Sequence, residues 1–244
     1  MKLAAAQAGR LTPDADGRLE LVERFFDGTG ATYDAMVHWA TLGIDRLWKK
    51  RMVAAIPAHA TRVLDLACGT GISTFAIARA RPECHVTGVE LRDEYLQFAR
   101  AKLAREPLPN VSLVLSRAED FSSDQRFDCI SSSYLAKYAD LPRLVAANRA
   151  MLAPGGLLLM HDFTLPPAAA LRGVWRAYFA LMQQTVARIV PAWREIYYGL
   201  PRLIESTRWL EELPPLLRPH GFEDVRVEYF TLYGSALVSA RKGA

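Results

Sequence analysis

The sequence predicts an α/β fold: a doubly wound, mostly parallel sheet of seven strands, with a helical cap and a C-terminal antiparallel hairpin. Three observations carry the prediction. Short apolar runs alternate with helix-period segments between residues 62 and 162, the pattern of a parallel sheet covered by helices on both faces. The first run, Val63-Leu64-Asp65-Leu66-Ala67, passes through Cys68-Gly69-Thr70-Gly71 into a helix opening at Ile72. The second run ends in an acid, Glu90, nineteen residues after Gly71.

The elements follow in order. Residues 19–52 read as helical, interrupted by Gly28 and Gly30. Strands are predicted at 62–67, 85–90, 111–115, 127–132 and 156–162, with helices at 72–81, 92–105 and 141–152. Ala153-Pro154-Gly155-Gly156 stops the last helix and launches an apolar strand. A helix over 207–219 ends at His220-Gly221, and two β-rich runs, 225–232 and 236–240, flank Tyr233-Gly234-Ser235 as a terminal hairpin. The chain reads as a single domain: an N-terminal helical lid (1–55), a core (56–165), a helical cap (166–208), and a final helix with the hairpin (209–244).

With 244 residues, 51% hydrophobic and 23% charged, the composition is that of a soluble globular protein. The opening Met1-Lys2-Leu3-Ala4-Ala5-Ala6-Gln7 turns polar too soon for a secretory signal. No apolar run reaches the roughly 18–20 residues that span a bilayer. Three cysteines (68, 84 and 129) form no CxxC pair, so neither a disulfide framework nor a metal site is indicated. A cytoplasmic location is expected.

The net charge of +4 is concentrated. Residues 171–208 hold six arginines against Glu195 and Glu205, together with Trp175, Tyr178, Phe179, Trp193, Tyr197 and Tyr198. Such a segment suits the wall of an apolar pocket or contact with an anionic membrane surface, so the location extends to the inner face of a membrane. Nucleic-acid binding is the third use of a basic, aromatic stretch. The tetrad after the fourth strand is Ser131-Ser132-Ser133-Tyr134 and not Asn/Asp-Pro-Pro-Tyr, and no nucleic-acid partner is expected. An oligomer is left open.

The glycine turn discriminates among cofactors. A P-loop needs Lys-Ser/Thr after its glycines, and Ile72-Ser73 follows here. A dinucleotide site wants a third glycine at 74, where this chain has Thr74. Asp65, a carboxylate near the strand end, suits a cationic ligand better than a pyrophosphate. Glu90 stands where a ribose diol needs an acceptor for both hydroxyls. These features select S-adenosylmethionine (SAM), which carries an ammonium, a sulfonium and no phosphate. Gly69, Thr70 and Gly71 are assigned to its methionine and ribose part, Glu90 to the ribose, and the Ala118 backbone to the adenine. Ser133 is placed facing the methyl, with Ala67, Leu91, Arg117 and Glu119 beside these positions.

Tyr33-Asp34-Ala35-Met36 and Leu42-Gly43-Ile44-Asp45-Arg46-Leu47-Trp48-Lys49 precede the first strand. Together with Ala118-Glu119, Phe127-Asp128-Cys129-Ile130, Leu152-Ala153-Pro154-Gly155-Gly156 and Gly221-Phe222, they resemble the ubiquinone/menaquinone biosynthesis C-methyltransferases, from about Glu23 to the C-terminus. The resemblance implies a class I methyltransferase fold and transfer of a methyl group to a carbon of a hydroquinone ring bearing an isoprenoid tail. An O- or N-methyltransferase of another small molecule, and a SAM-binding protein without turnover, are the alternatives. The family has Leu-Arg-Asn where this chain has Leu135-Ala136-Lys137, and the resemblance implies that the missing arginine assists removal of the quinol proton. A deprotonated hydroxyl is what makes a ring carbon nucleophilic, so a base is required. His161 and Asp162 are the expected candidates, the histidine having an ordinary pKa near 6.5; Tyr134 is counted with them as catalytic, and it and Tyr33 are expected to close the site.

Overall fold

A computed structural model describes residues 15–243; the opening segment read above for a signal, and the first part of the lid, lie outside the described residues. Seven strands form one sheet in the order β3-β2-β1-β4-β5-β7-β6: β1 (Arg62–Leu66), β2 (His85–Glu90), β3 (Val111–Leu115), β4 (Phe127–Ser133), β5 (Leu152–Phe163), β6 (Phe222–Phe230) and β7 (Ser235–Lys242). The first five pair in parallel, and β7 runs antiparallel to both β5 and β6. The strand order reverses between β1 and β4, so the crevice at their carboxyl ends is where a ligand fits.

Strand alternation explains the two faces. Leu64 and Leu66 of β1 join Ile130, Leu158 and Met160 under α6 (Leu141–Met151) and α10 (Trp209–Leu217). Val63, one residue out of phase, packs with Val86, Cys129 and Leu159 under α3 (Asp45–Ala55) and α4 (Ile72–Ala80). Side chains of period two must divide in this way. The edge of the sheet at β2 and β3 is covered by α5 (Asp93–Arg105).

The N-terminal stretch breaks where its glycines stand, giving α1 (Ala15–Phe26), a 3-10 turn (Gly30–Thr32) and α2 (Tyr33–Ala40) before α3. A Cβ on Gly30 would lie 2.8 Å from Glu94 and from the Phe98 ring, so only glycine lets the lid approach α5 this closely. The cap consists of α7 (Ala169–Gln184), α8 (Val186–Ile189), a 3-10 turn and α9 (Arg194–Ser206). A third apolar cluster, with Phe25, Tyr138, Trp193, Ile196 and Tyr197, fastens α1 and α9 together above the sheet.

The largest boundary difference from expectation is at β5, followed by β6, which starts at Phe222 and not at 225. Strand β5 starts at Leu152, opposite Phe127, and runs through the Pro-Gly-Gly rather than beginning after it. The extra residues are absorbed by a register shift between Phe127 and Cys129, with Gly155 at φ 69°, the irregularity a bulge accommodates.

Candidate active site

The turn after β1 is built on left-handed backbone. Ala67, Gly69 and Gly71 have φ of 54°, 59° and 88°, and Gly71 caps α4. A Cβ on Gly71 would come within 2.4 Å of the Phe75 ring, so a side chain is excluded there twice, by φ and by space. Glu90, at the end of β2, accepts the Gly69 N–H at 2.8 Å on one carboxylate oxygen and the Arg92 N–H at 2.9 Å on the other. Burial pushes its pKa above the ordinary glutamate value, against those two amides.

Around this pair lies a cleft of about 810 Å³, counted to its open mouth. Of the residues assigned from sequence, Tyr33, Ala67, Gly69, Glu90, Leu91, Arg117, Ala118, Glu119, Ser133 and Tyr134 line it. Glu119 is held by the Arg117 guanidinium at 3.0 Å and by the Asp140 N–H at 3.1 Å. Asp65, Thr70, Gly71, His161 and Asp162 do not line it.

Each of these has a physical reason to lie behind the wall. Asp65 is buried in the sheet, accepting the hydroxyls of Thr74 at 2.7 Å and Ser131 at 2.9 Å, so it is taken by the turn instead of facing a cation. Burial pushes its pKa up to about 6. Its protonated form is therefore favoured in the native state, and stability is greatest below the unfolded-state pKa near 4 and lost as pH rises through about 6. Relative to Asp65→Asn, the wild type should lose on the order of 3 kcal/mol across that window, at 1.36 kcal/mol per pKa unit. Urea titrations of both proteins from pH 4 to 7.5 measure the difference, and a pH-independent difference would contradict it. Thr70 turns away from the cleft: its hydroxyl donates to Asp34 of α2 at 2.5 Å, and its carbonyl accepts Lys102 at 2.9 Å. Gly71 serves the helix cap.

His161 and Asp162, the expected bases, need the larger correction. Both are 0% exposed. The His161 ring nitrogens face Ser133 Oγ at 2.9 Å and Ser235 Oγ at 3.2 Å; burial, reinforced by Lys49 and Lys137, drives its pKa well below the usual value. Asp162 is paired with Lys137 Nζ at 2.6 Å and also accepts the N–H groups of Lys137 and Phe163. Neither lines the cleft; both lie behind Ser133 and Tyr134, engaged with these partners.

Sequence reasoning missed the residues that reach the cleft from elsewhere, among them Val22 and Phe26 of α1, Arg92, Tyr95 and Tyr138. Tyr95 packs edge-on to Tyr33 at 5.1 Å and bonds Thr29 of the lid at 2.6 Å. Glu94 accepts the N–H groups of Gly28 and Gly30 at 3.2 and 2.9 Å, and Arg92 pairs with Asp27 at 3.1 Å. The lid is thus hydrogen-bonded to α5 over the glycine turn. The only sequence signal for it was the density of aromatic residues near Gly28 and Gly30.

A second cavity, of about 630 Å³, lies between the lid and the cap. Trp48, Phe163, Trp175, Phe179 and Ile196 line it, and the Tyr178 hydroxyl at its edge is taken by the Ala40 carbonyl at 2.5 Å. Its wall meets that of the first cleft where Phe163 stacks on Tyr134, with ring centres 4.5 Å apart and planes 7° from parallel, and in the apolar cluster that holds Tyr33, Tyr138, Ile196 and Tyr197.

Comparison with known proteins bears on the family and the fold. The model of the ubiE/COQ5 methyltransferase family matches residues 14–242. A ubiquinone/menaquinone biosynthesis C-methyltransferase of Proteus mirabilis is 30% identical, over 96% of this chain and 94% of its own length. A demethylmenaquinone methyltransferase of Bacteroides fragilis is 25% identical, over 91% and 93%. Among solved structures, Haemonchus contortus phosphoethanolamine N-methyltransferase 2 superposes with a TM-score of 0.67 at 15% identity, covering 93% of this chain and 60% of that one. The SAM-dependent methyltransferase SibL gives 0.57 at 20%, covering 84% and 57%. This chain therefore spans about three-fifths of those two solved chains, and the likeness to them is one of fold.

Proposed function

The chain belongs to the ubiE/COQ5 methyltransferase family and is a SAM-dependent methyltransferase; from that premise we propose that it C-methylates the ring of a quinol carrying an apolar tail. The observation that carries this reading is the aromatic cavity between lid and cap, joined to the cofactor cleft by the Tyr134–Phe163 stack. A flat ring with a hydrocarbon tail buries its surface against Trp48, Trp175 and Phe179, at roughly 25 cal/mol per Å² of apolar area. A charged head group in the same place would lose its water without a partner.

The residues of the cofactor cleft fit SAM. Glu90 keeps acceptor capacity beyond its two amide bonds, the Gly69 backbone is open to close approach (a Cβ there would meet only Tyr95, at 3.8 Å), and the Ala118 backbone flanks the adenine end. When bound, SAM supplies an electrophilic methyl group whose bond to the sulfonium breaks with the electron pair left on sulfur. The protein's task is then positioning: Ser133, Tyr33 and Tyr134 hold the acceptor in line with that bond, with reacting atoms about 3–3.5 Å apart. The lid and cap exclude water from the path.

Among the described residues no helix is long and apolar enough to cross a membrane. Peripheral contact through the cap is part of the proposal. Ile189, Val174 and Leu181 are strongly exposed there, as are Trp39 and Leu42 of the lid, and the cap carries the arginine excess. Anionic head groups attract such a surface with about 1 kcal/mol per basic residue.

The test is transfer of labelled methyl from SAM to a chemically reduced, short-chain prenylated 1,4-naphthoquinone, presented in anionic phospholipid vesicles. Label on a ring carbon is expected, at a rate that falls as salt rises. Label on oxygen, or none, would overturn the quinol reading; a salt-independent rate would remove the membrane contact alone.

A further inference from the structure

We propose that Tyr134 and Asp45 form the proton relay that activates the acceptor, with Tyr134 as the catalytic hydroxyl and Asp45 and Lys49 as positioning residues behind it. The inference rests on the quinol reading above. It concerns the question that the placement of His161 and Asp162 leaves open: which group takes the proton.

Tyr134 lines the first space, the cofactor cleft, and backs onto a wall of the second, its ring stacking on Phe163 of the acceptor cavity. Its backbone has φ 68°, a conformation that costs a non-glycine residue on the order of 1–3 kcal/mol and that clusters at working sites. The strained turn aims the hydroxyl at α3, where it donates to Asp45 Oδ1. Lys49, one helical turn further on, binds both Asp45 oxygens at 2.6 and 2.8 Å. Asp45 and Lys49 are 3% and 6% exposed. Two charges removed from water, bonded to each other and to one hydroxyl between the two spaces, are costly as pure architecture.

The carboxylates that line the cleft have other tasks, Glu90 in the glycine turn and the ribose contact proposed above, and Glu119 in its arginine pair. Glu90 holds the amides of Gly69 and Arg92, and Glu119 holds Arg117 and the Asp140 amide. Burial, then the neighbouring Asp45, pushes the Tyr134 pKa well up, so Tyr134 keeps its proton and works as a conduit rather than as a standing phenolate. The charged and titratable groups facing it are Asp45 and Lys49 of α3, Tyr33 of α2, Lys137 in the turn after β4, and His161 and Asp162 of β5. The two ammonium groups stand 4.7 and 5.3 Å from its ring centre.

The protons balance as follows. The acceptor O–H proton passes to Tyr134 Oη as the Tyr134 proton passes to Asp45 Oδ1, leaving an electron-rich ring. A π pair of the ring, pushed by the oxygen, would form the new C–CH3 bond as the methyl's bond to sulfur breaks and that pair stays on sulfur. The C–H bond at that carbon then breaks, its electrons restoring the aromatic ring and its proton leaving to solvent. Asp45 returns its proton through Tyr134 to the acceptor oxygen, so one proton is released per methyl transferred.

The experiment uses the full chain, the naphthoquinol vesicle assay under reducing conditions, and the variants Tyr134→Phe, Asp45→Asn, Asp45→Glu and the double Tyr134→Phe/Asp45→Asn. Tyr134→Phe keeps the ring stack and removes only the hydroxyl. It should lower kcat about 10²-fold or more, with SAM affinity by calorimetry within twofold of wild type. Its rate should keep rising about tenfold per pH unit toward the acceptor's own phenolic pKa near 10, where the wild type has levelled off. Asp45→Glu should recover part of the loss seen in Asp45→Asn, and the double variant should be no slower than Tyr134→Phe by more than about threefold, because the two act in one chain. A Tyr134→Phe enzyme with near wild-type kcat, a loss matched by weakened SAM binding, or multiplicative losses in the double variant would overturn the relay. A wild-type enzyme that leaves the quinol unmethylated would overturn it by a different route, through failure of the quinol reading itself.

Discussion

Glu90→Gln is expected to weaken SAM binding by about two orders of magnitude. In the proposed complex both ribose hydroxyls donate to this carboxylate, and hydrogen bonds to a charged group contribute about 1.5–3 kcal/mol each. A loss of about 3 kcal/mol corresponds to roughly 10²-fold in Kd. Glutamine cannot substitute, because one end of its amide is a donor, and that end meets the N–H of either Gly69 or Arg92. The substitution therefore disturbs the glycine turn as well as the ribose contact. Since burial raises the Glu90 pKa and only the carboxylate accepts both hydroxyls, wild-type affinity should fall as pH is lowered through a value above the ordinary glutamate range. Glu90→Gln should be flat over the same window. Calorimetry with SAM gives both results, and a variant Kd within threefold of wild type would remove Glu90 from the ribose site.

The second large effect is on stability. Asp162 and Lys137 are joined at 2.6 Å with side chains 0% and 2% exposed, and the ammonium also lies 4.6 Å from the Tyr138 ring centre. Removing one member leaves a buried charge without its partner, which costs about 3–5 kcal/mol. Asp162→Asn and Lys137→Met should each lose that much in urea unfolding. The double variant should regain most of it: the asparagine side chain still has an oxygen for the backbone amides, and the methionine carries no charge to strand. Double-mutant coupling near zero would mean that the pair is not the support described. The same measurement separates a support from a base, because the double variant should keep most of its turnover per folded molecule.

The cofactor half of the site was legible in the chain because its requirements are local. A strand of period two, a turn of positive φ that only small residues tolerate, and an acid at the end of the next strand are each written within a few residues of Gly69 or at the end of the run that follows it. The same locality misled for Asp65, His161 and Asp162. Their positions along the strands were read correctly, but a strand end has two sides, and Ser131, Ser235 and Lys137 decide which side is dry and paired.

The sequence by itself determined the sheet, its helices, the glycine turn, the acid that ends the second strand and the family to which the chain belongs. Tertiary structure alone decided that Phe26 and Tyr95 complete the cofactor cleft, that Lys137 neutralises Asp162, and that Tyr134 meets an aspartate 89 residues earlier in the chain. Backbone conformation and side-chain period are set by neighbours in the chain, whereas a hydrogen bond between buried groups depends on which helix the folded core brings alongside.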